Sequence, residues 1–325
     1  MWHDPTNPSQ WAQRDVRDAP RLLSFDYARL MNLLVTFAYT GEHTYTSIAR
    51  LCGFVDAPDD SPYAAVRYRH RSWKRLFQHL KADGLLDSVC RFGNLNRIGI
   101  PHRKEDLWAL TEAGHRLIES LEQYPRIPRK RSPTAMHNHD TVTTHFLTWF
   151  IERSRMLPST LMLSGLFVNF EYRLDPPKLS PRSDVLIIAR FGGTLVRPDL
   201  IPWVKSLAAD DDHLTMRFVL ENDRATESRA VITQKARDYR ATCTPDWRDL
   251  YGAFPIPIWI VPDYKRLMDV NACWRQGWSE GTWLITTDEL LKNDIWMEYH
   301  AGSFAQRNGF FRTDLMRNAM KGAML

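Results

Sequence analysis

Four side chains in the middle of the chain are of the types that phosphodiester chemistry needs. Asp199 follows Pro198 at a bend or strand start, and Glu221 and Asp223 close the apolar run TMRFVL. Lys235 lies two turns into the segment that follows. Residues two apart on a strand turn to one side, so Glu221 and Asp223 share a face. Hard carboxylate oxygens of this kind hold Mg²⁺ or Mn²⁺, and the ion activates water and neutralises charge in a phosphorane-like transition state. A nearby lysine stabilises that charge or orients the water. On this reading Asp199, Glu221 and Asp223 hold the metal, and Lys235 completes the catalytic set. Asp184, in PRSDV, is a weaker rival for the place of Asp199. The same acids also have a plain role, because Glu221, Asp223 and Glu227 stand where a helix begins and favour its dipole whatever the chemistry.

Such residues need a sheet to hold them. LMLSGLFVNFEYRL, DVLIIARF, TLVRPDLIPWV and TMRFVLEND each alternate in strand fashion between Pro, Gly or Asp punctuation. TESRAVITQKARDYRATC reads as a helix capped near Thr226, with Ala230, Val231, Ala236 and Tyr239 on one side. IPIWIVP (256–262) is short and almost wholly apolar, as a buried central strand is. A helix over Tyr264–Trp274, the strand TWLITT and the helix DELLKNDIW complete a mixed sheet covered by helices. Upstream, HDTVTTHFLTWFIERSRM predicts a helix with Val142, Phe146, Trp149 and Phe150 inward. His139 and His145 lack the spacing of a metal-binding pair and are expected in packing or surface roles.

The first part of the chain has a different character. Residues 1–138 hold 20 Lys+Arg against 15 Asp+Glu, whereas 139–325 hold 23 of each, so the whole net charge of +5 lies before residue 139. Within 63–104 the count is 10 against 2. A basic patch of that density beside a neutral domain points to a polyanion. Tyr27, Leu30, Leu34 and Phe37 mark one amphipathic helix, and YTSIARLCGF a second with Ile48, Ala49 and Leu51 inward. A third is predicted at about Tyr63–Gly84. Its apolar face carries Val66, Trp73, Leu76, Phe77 and Leu80, and the opposite face Arg67, Arg71, Lys74, Arg75 and Gln78. A strand at Leu85–Cys90, an arginine-rich loop, a second strand at LWALT (107–111) and a helix from Thr111 follow. Three helices, a hairpin and a last helix is the winged helix-turn-helix order. A helix fits the major groove of duplex DNA, where guanidinium forks meet guanine edges and phosphates. Arg91, Arg97, Arg103 and Lys104 of the wing are expected on the flanking backbone or minor groove.

The remaining features narrow the class. No apolar run approaches the roughly 20 residues of a membrane span. The start of the chain has no secretory pattern, and four isolated cysteines at 52, 90, 243 and 273 form no CxxC pair. A reduced, cytoplasmic protein associated with nucleoid or plasmid is the expectation. No nucleotide-binding glycine motif and no GxSxG elbow is present. The expected divisions are an arm (1–23), the winged helix (24–123), a basic proline-bearing linker (124–138), the sheet domain (139–300) and a basic tail (301–325). The tail is expected to pack a protein partner or a second copy.

RPDLI, FVLENDRATES and QKARDY together resemble the PD-(D/E)XK nuclease-like core. With a winged helix before it, the chain resembles the bacterial replication-relaxation family of plasmids and mobile elements, over roughly 25–265. The resemblance implies an α+β or α/β two-domain protein that binds double-stranded DNA, with a restriction-endonuclease-type second domain. It leaves three readings open: a nuclease-like scaffold without activity, a Mg²⁺-dependent endonuclease targeted by the winged helix, and an assembly factor that recruits mobile-element proteins or itself to DNA. The departure from the nuclease pattern is Asp223, which stands where a lysine is expected. Either Lys235 supplies that charge from the helix, or Asp223 is a third metal ligand, or the site is dead.

Overall fold

A computed structural model of the chain describes residues 33–34, 36–38, 41–44, 47–48, 55–56, 67–68, 72–92, 105–119, 137–155, 157, 163–170, 183–191, 214–243 and 255–316. They divide into two units.

In the first unit, Leu33, Leu34, Phe37 and Ala38 are buried in a helical stretch, and Ile48 in another. Strand β1 (His43–Thr44) pairs antiparallel with β5 (Glu105–Leu110), which pairs with β4 (Leu86–Phe92). Helix α1 (Ser72–Ala82) buries Leu76, Phe77 and Leu80, the face its periodicity predicts. Phe77 meets Phe37 and Trp108 edge-on, with centroids 6.1 and 5.2 Å apart. The helix ends where DGLL places its stop. Gly84 adopts φ +72°, and Leu85 N bonds back to Leu80 O at 2.9 Å, closing the turn as glycine-ended helices do. Thr111 then caps α2 (Glu112–Glu119) through Gly114 N.

Two expectations for this unit need correction. Helix α1 is shorter than 63–84, because Arg67–Tyr68 forms a strand (β3) paired with β2 (Val55–Asp56). A Val-Arg-Tyr run suits a strand as well as a helix, and cross-strand pairing decides it. Helix α3 (His137–Arg155), assigned to the second domain by the boundary at 139, belongs to the first unit. Its Thr148 hydroxyl lies 2.9 Å from that of Ser47. It buries Val142, Phe146, Trp149 and Phe150 as predicted, and His145 as well.

The second unit is a seven-stranded mixed sheet in the order β12-β11-β10-β9-β8-β7-β6. β6 (Leu163–Phe170), β7 (Val185–Phe191) and β8 (Leu214–Asn222) form an antiparallel meander. Helices α4 (Arg229–Thr242) and α5 (Tyr264–Gly277) then carry the chain to β9 (Ile256–Val261) and β10 (Trp283–Thr287), both parallel to β8. β9 is the central strand, as its apolar run requires. One core joins both helices to the sheet through Ile232, Tyr239, Trp259, Trp274 and Trp283. The helices touch so closely that a Cβ on Gly277 would lie 2.5 Å from Thr233 O.

Three sequence readings fail in this unit. α4 is capped by Ser228, not Thr226, and it buries Ile232, Thr233, Ala236, Tyr239 and Thr242 while Ala230 and Val231 are exposed. The segment DELLKNDIW is a helix only over Asp288–Lys292 (α6). Asp294 takes φ +54°, and Trp296 then enters strand β11 (Ile295–His300). The segment set apart as a tail at 301 is part of the sheet. Ala301 and Gly302, at φ +50° and +83°, make a two-residue turn into β12 (Ser303–Asn308), which pairs with β11. Phe310, Leu315 and Met316 beyond it are buried.

Among the described residues no helix is long and apolar enough to cross a membrane.

Candidate nuclease-type site

β8 carries Phe218, Val219, Leu220 and Glu221 in succession, all fully buried. By the period of a strand, Glu221 faces the same way as Val219, into the core beneath α4 and α5. An isolated carboxylate there would be costly, and it is not isolated. Lys235 Nζ donates to its Oε2 at 2.7 Å, and Tyr239 Oη donates to its Oε1 at 2.6 Å. Lys235 and Tyr239 are four apart on α4, so one face of the helix delivers both donors. The lysine also bonds Glu227 Oε1 at 2.8 Å and lies 5.4 Å from the centre of the Trp259 ring.

Asp184 stands one residue before β7, and β7 pairs with β8 with Val185 opposite Leu220. Its N–H donates to Leu220 O at 3.1 Å, and its Oδ2 accepts from Asn222 N at 2.6 Å. The two acids therefore sit at the ends of neighbouring strands, close enough to interact. Burial pushes the Glu221 carboxyl up to about 7, with Lys235 pulling it down and the charge of Asp184 adding to the rise. Burial works to lower the Lys235 ammonium, but Glu221, Glu227 and Asp184 together outweigh it and hold it above its ordinary range. Burial and the Glu221 charge raise the Tyr239 phenol, leaving it a donor.

Asp223 does something else. Its Oδ1 accepts from Thr226 N at 3.1 Å, and its Oδ2 from Arg266 Nε at 2.6 Å. Arg266 also reaches Glu227 O at 2.6 Å, while Arg224 makes a two-pronged pair with Asp288 at 2.9 and 2.6 Å. These contacts hold the turn from β8 into α4, where Ala225 takes φ +64°. With both oxygens engaged, Asp223 anchors that turn rather than facing the Glu221 cluster.

A model of the replication-relaxation family matches residues 62–255. The chain belongs to that family. The matched span contains α1 as well as Asp184, Glu221 and Lys235, so membership covers both regions that the sequence singled out. No curated protein and no solved structure matches the chain.

In this replication-relaxation protein the sequence-predicted residues fare unequally. Glu221 and Lys235 come together, Asp223 turns to Arg266, and Asp199 lies outside the described residues. Asp184, the weaker rival in the sequence, stands just before the strand beside Glu221. Glu227 and Tyr239 were not expected as partners, although the four-residue spacing of Lys235 and Tyr239 was a visible sign. Among the described residues no group of three or more His, Cys, Asp or Glu forms a ready metal cage.

Of the residues expected at a nucleic-acid face, positions 74, 75 and 78 fall by helical spacing on the arc of α1 away from its buried residues, and Gln78 is exposed. Arg67 is on β3 and off the helix, and Arg91 is on β4. Arg71, Arg97, Arg103 and Lys104 lie outside the described residues. Lys81, on the same helix, is spent on Asp87 at 2.8 Å and on the Trp108 ring.

Proposed function

We infer that this protein binds duplex DNA through a winged helix in its first unit, and cleaves or nicks DNA through a nuclease-type site in its second, in the replication or relaxation of a plasmid or mobile element. The observation that carries the reading is the 2.7 Å contact of Lys235 with Glu221, with Asp184 at the end of the neighbouring strand. An aspartate, a glutamate on the adjacent strand and a lysine are what metal-assisted phosphodiester cleavage requires. On this reading Lys235, reaching Glu221 from α4, takes the part of the lysine missing at Asp223.

The donor set fits Mg²⁺ or Mn²⁺. Such ions are commonly held by one or two carboxylates, with water and substrate phosphate filling the remaining positions. Asp184 and Glu221 supply two, and Glu227, which shares Lys235 with Glu221, keeps its Oε2 buried with no hydrogen-bond partner. When bound, the ion supplies Lewis-acid polarisation of the phosphate and an activated water. The chain's own part is positional and electrostatic. Tyr239 orients Glu221, Asn222 N orients Asp184, and Lys235 sets a positive charge against the phosphate. α1 and the β4–β5 hairpin hold the duplex, with Lys74, Arg75 and Gln78 on the helix arc that faces it.

Full-length protein should nick supercoiled plasmid with Mn²⁺, and Glu221→Gln should stop it without loss of binding. Reversing Lys74 and Arg75 to Glu should abolish binding. If around five phosphates are contacted, the wild-type log–log salt slope should be roughly −4 to −5. Salt-insensitive binding contradicts the α1 assignment.

One observation favours a second reading, in which the nuclease-like unit only binds. Both oxygens of Glu221 are already hydrogen-bonded and the residue is fully buried. Intact plasmid at millimolar Mn²⁺ would select that reading.

A further inference from the structure

Three carboxylates act on one ammonium in the second unit. Lys235 Nζ bonds Glu221 at 2.7 Å and Glu227 at 2.8 Å, and Asp184 adds its charge. A divalent ion held by Asp184 and Glu221 would have to share that space with a cation already on Glu221. In a partly desolvated site two such cations repel strongly. One of them has to yield. Asp184 and Glu221 are fixed by strand pairing, whereas lysine is a point charge on a flexible four-carbon stem. A place for it already exists. Glu227 lies on the turn between β8 and α4, accepts from Lys235 with Oε1, and keeps Oε2 buried without a partner.

We propose that Lys235 is the resident occupant of the cation position, and that a divalent ion displaces it from Glu221 onto Glu227, whose second oxygen is its landing point. The inference rests on the nuclease-type reading of the site. Without an ion the lysine neutralises the carboxylates and keeps the fold intact. With the ion, the same lysine is released from Glu221 while staying beside it. Binding of the ion is therefore weakened by the contact that must be broken, and Glu227 reduces that cost.

The test is calorimetric titration of Mn²⁺ into full-length wild type, Lys235→Met, Glu227→Gln and the double variant, with circular dichroism to check folding. Lys235→Met should bind Mn²⁺ about tenfold or more tightly than wild type, since a buried ion pair no longer has to be opened. Glu227→Gln should weaken binding in the wild-type background and have no effect in the Lys235→Met background. Equal or weaker binding by folded Lys235→Met overturns the proposal. So does an equal loss from Glu227→Gln in both backgrounds, which would make Glu227 a direct ligand, and so does an absence of Mn²⁺ binding in every folded variant. If Lys235→Met does not fold, Lys235→Gln takes its place in the same cycle and the same outcomes decide. Failure of the nuclease reading looks different, as plasmid left intact while this order of Mn²⁺ affinities holds.

Discussion

Each unit buries a polar cluster, and the two are built on opposite principles. In the first, His43 Nδ1 lies 3.1 Å from Ser47 Oγ, which lies 2.9 Å from Thr148 Oγ1, and Thr148 donates to Thr144 O at 2.9 Å. Every member is neutral. Burial, and then the charge of His145, pushes His43 down to about 3. The chain of hydroxyls joins β1 to α3 across 101 residues of sequence, which is a structural task. In the second unit the members are Asp184, Glu221, Glu227 and Lys235, and removing charges from water costs more than a well-packed apolar core would. A neutral network is enough where only folding is at stake. A charged one held at that cost fits the site proposed above, since groups perturbed by burial together with a specific charge partner often mark function.

The largest expected effect follows from that contrast. Lys235→Ala leaves Glu221 buried without its cation and should destabilise the second unit by about 3–5 kcal/mol. Ser47→Ala removes one neutral link and should cost the first unit only about 1–2 kcal/mol. Chemical denaturation of each variant measures both, and comparable losses would erase the distinction between the clusters.

The pH dependences should have opposite signs. Glu221 has a folded value raised to about 7, so its contribution is full below the unfolded value and is lost as pH rises through about 7. His43 has a folded value lowered to about 3, so its contribution is full above the unfolded histidine value and is lost as pH falls towards about 3. Each group can tilt stability by at most about 1.4 kcal/mol per pH unit. Melting curves between the two values should flatten on the alkaline side for Glu221→Gln, and on the acid side for His43→Gln. If either substitution flattens the other side, the assignments are wrong.

A smaller effect separates anchoring from chemistry within the second unit. Arg266→Gln weakens the hold on Asp223 and the turn into α4. It should lower the melting temperature while leaving any Mn²⁺ response in place. Loss of that response without loss of stability would return Asp223 to the metal site.

Much of this was legible in the sequence, for identifiable reasons. The α1 apolar face, the Gly84 stop, the central strand Ile256–Val261 and the helix Tyr264–Gly277 follow from local periodicity and turn chemistry, which a single segment carries. Glu221 and Lys235 were legible because their residue types are rare in such apolar surroundings. What the sequence hid depended on pairing between distant segments. Arg67 joins a strand because Asp56 pairs with it, and β12 exists because β11 offers an edge. Asp184 comes near Glu221 because β7 lies beside β8. The contact of Asp223 with Arg266 was hidden because the two are 43 residues apart.

Cleavage of supercoiled plasmid in Mn²⁺ by Asp184→Asn, set beside Asp199→Asn, Glu221→Gln and wild type at equal DNA occupancy, tests the central claim most directly. The account predicts that wild type nicks, and that Asp184→Asn and Glu221→Gln each stop cleavage while the duplex remains bound. Full activity in Asp184→Asn, with cleavage lost in Asp199→Asn, would contradict it.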